Sequence, residues 1–396
     1  MKTIAVLSHV NFNSIYGAGT SLRNHYDAFR ICNDYQFIHI ERRKIIPFGK
    51  KEKSSELKLS HYPNVKARFS LPLPFSQNHD GCSNTISIQV KAAIRFLFDD
   101  IGAWKTINRV NKIKPDAVHI NSLVLLPIVR LLRTQKCLMY TPIIAHVREL
   151  LKYNLNRHQQ NILTHQINHF ICIDKAAYNR LIEVVPSIKR SQISIIQNPF
   201  IYSNENPDPI FLENIPKHFK VFAIVGKVSP DKGVDLVCRA FLSHDFSDAM
   251  LIIIGDANDS YGKAIRQMCE AYPNRLRWLG EQSDLVYRGF FNGIDVLVRG
   301  DKSFRTGRTV YEALFSGVRV ILPGSSTELG NDSILNNFAA NVDLYEPNSL
   351  ESLTTTLLQS KFKCTQCRIK NHQARVKRNN YNEYLEQVIN VYQSVF

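Results

Sequence analysis

The chain is divided along most of its length into short apolar runs, each followed by a stretch of helical periodicity. In the first half the runs are Thr3–Ser8, Phe37–Ile40, Ala117–Ile120, Pro142–Val147, Phe170–Ile173 and Ile193–Ile196. In the second half they are Val221–Val225, Met250–Ile254, Leu276–Leu279, Ile294–Val298 and Arg319–Leu322. Helical patterns lie between them at Ser21–Phe29, Leu123–Arg133, Ala176–Val184, Val234–Leu242, Gly262–Tyr272, Ser283–Phe291 and Thr309–Phe315. Runs that are apolar throughout, with no in–out alternation, suit strands buried on both faces, and helices between them suit right-handed crossovers. The pattern therefore predicts an α/β chain with parallel, doubly wound sheets, a fold class that takes ligands at the carboxyl ends of its strands.

At 396 residues the chain is long enough for two such domains. Pro199, Pro207, Pro209 and Pro216 punctuate a linker. The expected division is a Rossmann-like domain over residues 1–200, a second over 201–379, and an amphipathic last helix over 380–396. That helix would carry Tyr384, Leu385, Val388, Ile389 and Tyr392 on one side. Residues 86–111 read as a further helix with Ile94, Leu97, Phe98, Ile101 and Trp104 on its apolar face. Arg42–Lys66 and residues 70–84 read as loops.

Charge separates the two halves. Residues 1–200 hold 28 basic and 12 acidic side chains, and residues 201–396 hold 22 of each, so the net +16 belongs to the first half. A cationic domain beside a neutral one suggests an anionic partner such as a lipid headgroup, a diphosphate or a nucleic acid. No apolar segment is long enough to span a membrane, and the run at the N-terminus is too short for a signal peptide, so a cytoplasmic location is expected. Of eight cysteines, Cys172 and Cys238 sit in apolar runs as small core residues. Cys364 and Cys367 form a lone CxxC near His372, which is half a zinc site at most.

Two segments carry the chemistry. Gly226–Gly233 (GKVSPDKG) follows a strand and opens a helix, so Lys227 and Lys232 can meet an anion beside free backbone N–H groups. By itself such a turn is equally an ordinary solvated loop. In Asp295–Pro323 a strand ends, a loop with Asp301 and Gly307 follows, and a helix begins near Arg308 and Thr309 with Glu312 close to its start. A carboxylate there suits a ribose diol, and the N–H groups after Gly307 suit a diphosphate. As an alternative, Glu312 simply complements the helix dipole.

KVSPDKGVDL, followed by LIIIGDA and GRTVYEALFSGVRVI, resembles the GRLSPEKGVDLL, LxIxGDG and FGxxxxEAMAxGxPVI segments of the retaining glycosyltransferases of family 4. The resemblance implies the GT-B fold, two Rossmann-like domains with a cleft between them, the first for the acceptor and the second for the nucleotide sugar. It further implies that Gly226, Lys227, Lys232, Asp301, Gly307, Arg308, Thr309 and Glu312 bind the donor, with Lys227 standing where the family has Arg. Glu312 matches the second Glu of the family's E-x7-E pair; the first falls on Phe304, a departure that leaves the sugar to Asp301 or to another arrangement. In the first half, Gly17, Gly19 and Thr20 resemble the family's Gly-rich first loop for an acceptor or phosphate. His146-Val147-Arg148-Glu149 resembles its fourth-strand end near the reacting sugar. Either His146 or Arg148 takes the family's His place; strand phase favours Arg148 and leaves His146 as a packing residue in the alternative. Asn198 matches the Asn of an interdomain turn, with Pro199 in place of Gly.

The expected reaction is transfer of a sugar from a UDP- or GDP-sugar to a hydroxyl of a glycan or lipid-linked acceptor, with retention of anomeric configuration. Lys227 and Lys232 would stabilise the departing diphosphate, without metal or other cofactor. The patches Arg42-Arg43-Lys44, Lys50-Lys51 and Lys53 fit a peripheral site on the inner membrane face and surface-polysaccharide assembly, such as O-antigen, capsule or lipopolysaccharide. The rival readings are a basic nucleic-acid-binding protein on a Rossmann-like core, and a GT-B binding protein without catalysis.

Overall fold

The structure, a computed structural model, describes residues 1–12, 17–42, 61–71, 73, 103–148, 151, 155, 157–200, 206–244, 246–257, 259–286, 288–304, 306–362 and 381–396. These form two units, Met1–Pro199 with Asn380–Phe396, and Phe200–Asn379.

The first unit is built on a seven-stranded parallel sheet of β1 (Lys2–Ser8), β2 (Tyr35–Arg42), β3 (Val65–Leu71), β4 (Ala117–Ile120), β5 (Ile143–Val147), β6 (His169–Cys172) and β7 (Ile193–Ile195), in the order β3-β2-β1-β4-β5-β6-β7. Central β1 pairs with β2 from Lys2 opposite Tyr35 to Ser8 opposite Glu41, and with β4 from Ile4 opposite Ala117 to Leu7 opposite Ile120. Successive side chains point to opposite faces, so the sheet feeds two cores. Ala5, Leu7, Val118, Ile120, Ala145 and Val147 enter one. Ile4, Val6, Ala117, Ile144 and Ile171 enter the other, with the rings of Phe12, Tyr26, Phe29 and Phe37. The helix Tyr381–Val395 closes this second face through Tyr384, Val388, Val391 and Tyr392, a helical stripe at i, i+4, i+7 and i+8.

The second unit repeats the plan with six parallel strands. They are β8 (Lys220–Val225), β9 (Ala249–Ile254), β10 (Leu276–Gly280), β11 (Val296–Val298), β12 (Arg319–Pro323) and β13 (Val342–Tyr345), in the order β10-β9-β8-β11-β12-β13. In each sheet the chain winds outward one way from the first strand and then restarts on its other side. The strand order therefore reverses between β1 and β4, and again between β8 and β11. Loops leaving the two strands at such a switch point diverge above the sheet and open a crevice at their carboxyl ends.

Several expectations are corrected. Strand β3 overlaps both stretches read as loop; Val65, Ala67, Phe69 and Leu71 alternate with Lys66, Arg68 and Ser70, the pattern of a partly exposed edge strand rather than of an unbroken apolar run. The described residues of 283–291 form bends, turns and only the start of a short helix, Phe290–Gly293, because Asp284 (φ 55°) and Gly289 (φ 66°) take left-handed backbone. Residues 103–113 are helical, but Trp104 is 63% exposed, while Ala103, Ile107 and Val110 are buried; Ile94, Leu97, Phe98 and Ile101 lie outside the described residues. The helix Gly17–Ala28 begins four residues before Ser21, so Gly17, Gly19 and Thr20 belong to its first turn and not to a loop. Beyond Pro323, where the sequence offers no clear pattern, lie β13 and the helix Leu350–Phe362. Residues Arg43, Lys44, Lys50, Lys51, Lys53, Glu149, Cys364, Cys367 and His372 lie outside the described residues.

Gly233 has φ 53°, and a Cβ added there would overlap the carbonyl oxygen of Gly300. Gly233→Ala combines a left-handed backbone with a backbone collision, so it is expected to destabilise the second unit by on the order of 2 kcal/mol or more. Denaturant unfolding of the purified variant measures this.

Candidate functional site

Strand β8 ends in a loop that tightens into a 3-10 turn, Pro230–Lys232, before the left-handed Gly233 starts the helix Val234–Leu242. Because neither Gly233 nor Gly300 has a side chain, the two backbones touch. That contact brings Lys232 from the β8 side of the switch point to Asp301 from the β11 side. Lys232 Nζ donates to Asp301 Oδ1 at 2.7 Å, and Arg299 Nε donates to Asp301 Oδ2 at 2.7 Å. Asp301 is 1% exposed. Burial alone would push its carboxyl up, but the charges and hydrogen bonds of Arg299 and Lys232 outweigh that and hold it below the ordinary carboxylate value.

Arg299 ties this pair to the next helix. Its Nη1 donates to Thr309 Oγ1 at 3.3 Å, and its carbonyl accepts from Tyr345 Oη at 2.9 Å. A side chain at Gly307 would press on the guanidinium, with an added Cβ 3.1 Å from Nη1. Gly307 is the extended N-cap of the helix Arg308–Phe315, whose first N–H groups lie at the positive end of the helix. One turn on, Arg308 Nε donates to Glu312 Oε1 at 2.6 Å, both side chains nearly buried. Burial raises the Glu312 carboxyl, and Arg308 offsets this only in part.

Lys232, Asp301, Gly307 and Thr309 thus gather around Arg299, with Arg308 and Glu312 on the same helix. Lys227 stands exposed on the β8 loop, outside that network. Gly226 (φ 141°) lies against the end of β9, its N–H donating to the Ile254 carbonyl at 2.9 Å. Phe304 packs against the second unit's core and beside Gly324, so the position of the family's first Glu is apolar. Arg299 is the participant that sequence reasoning passed over; a guanidinium directly after the apolar run Val296–Val298 was the available signal.

In the first unit the corresponding strand ends hold Arg148 and Asn121. Arg148 Nε donates to the Asn121 carbonyl at 3.1 Å and to Asn121 Oδ1 at 2.9 Å, and its Nη1 donates to Asn198 Oδ1 at 2.5 Å. His146 is buried on the sheet face opposite Val147, its Nδ1 2.8 Å from His119 Nε2. Gly19 is buried, and Thr20 Oγ1 accepts from Arg23 Nη2 at 3.2 Å. Among the described residues no cluster of three or more His, Cys, Asp or Glu side chains is placed to hold a metal ion, and no helix is long and apolar enough to cross a membrane.

Residues 208–381 match the family model described as glycosyl transferases group 1. The second unit carries a glycosyl transferases group 1 domain. No curated protein matches the chain by sequence. Among solved structures, the chain is similar to Anabaena HepE in complex with UDP-glucose (15% identity, TM-score 0.71, all of both chains covered). It is also similar to sucrose-phosphate synthase from Thermosynechococcus elongatus (14%, TM-score 0.70, 100% of this chain and 99% of that one). A third is the lipopolysaccharide outer core galactosyltransferase WaaB (15%, TM-score 0.62, all of both chains). At such identities the likeness establishes the fold, two parallel-stranded Rossmann-like sheets as in GT-B glycosyltransferases.

The buried histidines set an acid limit on the first unit. Burial first, and then the charge of Arg148, push His119 down to about 3. Burial likewise holds His25 and His146 well below the usual imidazole value. In the unfolded chain each ring binds a proton near its ordinary value of about 6.5. Their contribution to stability is therefore complete above that pH and is lost as pH falls below it. Each ring would remove on the order of 1 kcal/mol per pH unit. The midpoint of urea unfolding is expected to fall measurably between pH 7.5 and 5.5. Asp301 and Glu41, held below their ordinary values, stay ionised throughout that window.

Proposed function

We propose that the chain is a retaining glycosyltransferase that moves a sugar from a nucleotide diphosphate donor to a hydroxyl of a glycan or lipid-linked acceptor. The observation that carries this reading is the ion network of Lys232, Asp301 and Arg299 at the switch point of a group 1 domain, beside the N-terminus of the helix Arg308–Phe315. A diphosphate leaving group gathers negative charge as the sugar departs. Preorganised cations and helix N–H groups stabilise that charge more in the transition state than in the ground state. In this reading Lys232 and Lys227 serve the diphosphate, and Gly226, Gly307, Arg308 and Thr309 shape its seat. Glu312 accepts hydrogen bonds from the ribose diol. Asp301 holds Lys232 and Arg299 in place.

In the first unit, Arg148 and His146 are assigned to the transferred sugar, and Gly17, Gly19, Thr20 and Glu149 to the acceptor side. Retention places the acceptor's attack on the face the diphosphate leaves, so a departing phosphate oxygen can take the hydroxyl proton and no protein base is required. The lysines supply the stabilisation that a divalent ion gives elsewhere, so metal-independent transfer belongs to the proposal. Complexes of HepE with UDP and with UDP-glucose make a UDP-sugar the first donor to try. The excess of basic residues in the first half favours an acidic acceptor, such as a lipid-linked diphosphate on the cytoplasmic face of a membrane. That in turn favours a role in surface-polysaccharide or lipopolysaccharide assembly.

The test is transfer and donor hydrolysis with a panel of UDP- and GDP-sugars, using membrane lipid extract as acceptor and chelator in a parallel series. Turnover with one donor, undiminished by chelator, is expected. Lys232→Ala should lower kcat by about 100-fold, and Glu312→Ala should raise the donor KM by about ten-fold. Failure to bind or turn over any nucleotide sugar, together with salt-sensitive DNA binding, would replace this reading with the nucleic-acid one.

A further inference from the structure

The Arg299 side chain is only 8% exposed, yet much of its hydrogen-bonding capacity is unspent. A guanidinium is always charged and carries five N–H donors. Nε–H goes to Asp301 Oδ2 at 2.7 Å, and Nη1 gives one N–H to Thr309 Oγ1 at 3.3 Å. Nη2 donates to none of the described residues. Arginine paired with a carboxylate commonly uses two arms of its fork on it. Here Asp301 meets Nε alone with Oδ2 and turns Oδ1 to Lys232 at 2.7 Å.

The unspent edge has a definite outlook. A Cβ placed on Gly307 would lie 3.1 Å from Nη1 and 3.5 Å from Nη2, so this edge faces the Gly307 backbone across the space a side chain would fill. Gly307 starts the helix Arg308–Phe315 without a side-chain cap, which leaves the first N–H groups of that helix without partners inside it. Both sides of the gap are fixed. Thr306 Oγ1 and Tyr311 Oη donate to Asp332 Oδ2 at 3.2 and 2.6 Å, tying down the residue before Gly307. The Arg299 N–H donates to the Ile321 carbonyl at 2.9 Å, and its carbonyl accepts from Tyr345 Oη. Charge points the same way. Arg308 and Glu312 cancel, while Lys232 and Arg299 share the single carboxylate of Asp301. A buried excess cation with spare donors, beside an uncapped helix start, suits an acceptor-only anion with several oxygens.

We propose that Arg299 is an anion-binding residue whose open Nη edge, together with the start of the helix Arg308–Phe315, grips a phosphate group of the donor's diphosphate. That the phosphate belongs to a nucleotide sugar rests on the glycosyltransferase reading; that the seat takes a phosphate rests on the second unit alone. Asp301 then holds two cations for one task, and the charge of the leaving group forms where Lys232 and Arg299 already stand. Lys227, exposed and outside this network, contributes less to the grip than Arg299 does.

Side-chain NMR of the full-length protein with isotope-labelled arginine reads the contact directly. Arg299→Lys keeps a cation for Asp301 and removes the Nη pair, so it assigns the Arg299 resonances and also tests their use. Inorganic pyrophosphate, and whichever of UDP and GDP binds, should shift the Nη resonances of Arg299; uridine and guanosine should leave them in place. Arg299→Lys should bind pyrophosphate about ten-fold more weakly than wild type, against about two-fold or less for Lys227→Ala. Gly307→Ala, at a φ of −87° that admits alanine, should also weaken pyrophosphate binding by pressing its Cβ on Nη1. In transfer assays Arg299→Lys should lower kcat by about ten-fold. Nη resonances unmoved at saturating pyrophosphate, a shift produced by the nucleosides alone, or an Arg299→Lys protein that binds pyrophosphate as wild type does would each overturn the proposal. Failure of wild type to bind pyrophosphate, UDP or GDP would overturn it as well. Should Arg299→Lys fail to fold, Thr309→Val removes only the Nη1 partner and assigns the same resonances by their displacement. Pyrophosphate held by Arg299 in a protein that transfers no sugar would remove the proposed function and keep the seat. Transfer in which Arg299→Lys is as active as wild type would do the reverse.

Discussion

The second unit depends on one close approach, the backbone of Gly233 against that of Gly300. Two loops leaving adjacent parallel strands would ordinarily spread apart above the sheet. Here the absence of two side chains lets them touch, and the meeting of Lys232 with Asp301 follows from that touch. Lys232 reaches Asp301 because its turn is held down, Asp301 stays ionised because two cations flank it, and Arg299 extends the arrangement to Thr309. Two cations around one buried carboxylate, Arg299 buried and Lys232 half-buried, leave net positive charge beside a helix N-terminus. That is a disposition for an anion, present before any ligand arrives.

The first unit solves a different problem. One face of its sheet carries buried His39, His119 and His146, and the helix Gly17–Ala28 adds His25, among aromatic and aliphatic neighbours. Such groups are tolerable only if their nitrogens find partners, and tyrosine is the side chain that brings both a large apolar ring and a hydroxyl. Tyr26 meets His39, Tyr384 meets His25, and Tyr392 meets His119. Aromatic packing and hydrogen bonding are thus served by the same residues, and the core gains a definite arrangement that an all-aliphatic one would lack.

Much of this was legible in the sequence, and for identifiable reasons. Parallel strands buried on both faces announce themselves as unbroken apolar runs, so β1, β4, β8, β9 and β12 could be read closely. Strand β3 at the sheet edge was passed over because it alternates, with Lys66, Arg68 and Ser70 between its apolar residues, and so lacks the unbroken apolar run that marks the central strands. In the second unit, Lys232, Gly307 and Glu312 were found from spacing and resemblance together. The role of Arg299 was hidden because it depends on the approach of two loops far apart in sequence. In the first unit His146 could be singled out but its surroundings could not: His119 and Tyr392 lie 27 and 246 positions from it, and no periodicity links them. Propensity and pattern report on neighbours along the chain, whereas a buried polar partner is fixed only by tertiary packing.

The helix Tyr381–Val395 completes a core whose other members are threaded hundreds of residues earlier. A ribosome making this chain delivers the whole of the second unit before it delivers Tyr384 and Tyr392. Throughout that interval the aromatic face around Phe29 and Phe37 has no lid, and the rings of His25 and His119 have no hydroxyl to meet. The first unit therefore cannot reach its final state as it emerges. It must wait in a partly formed condition, open to water and to other chains, until the last fifteen residues of helix dock and close it.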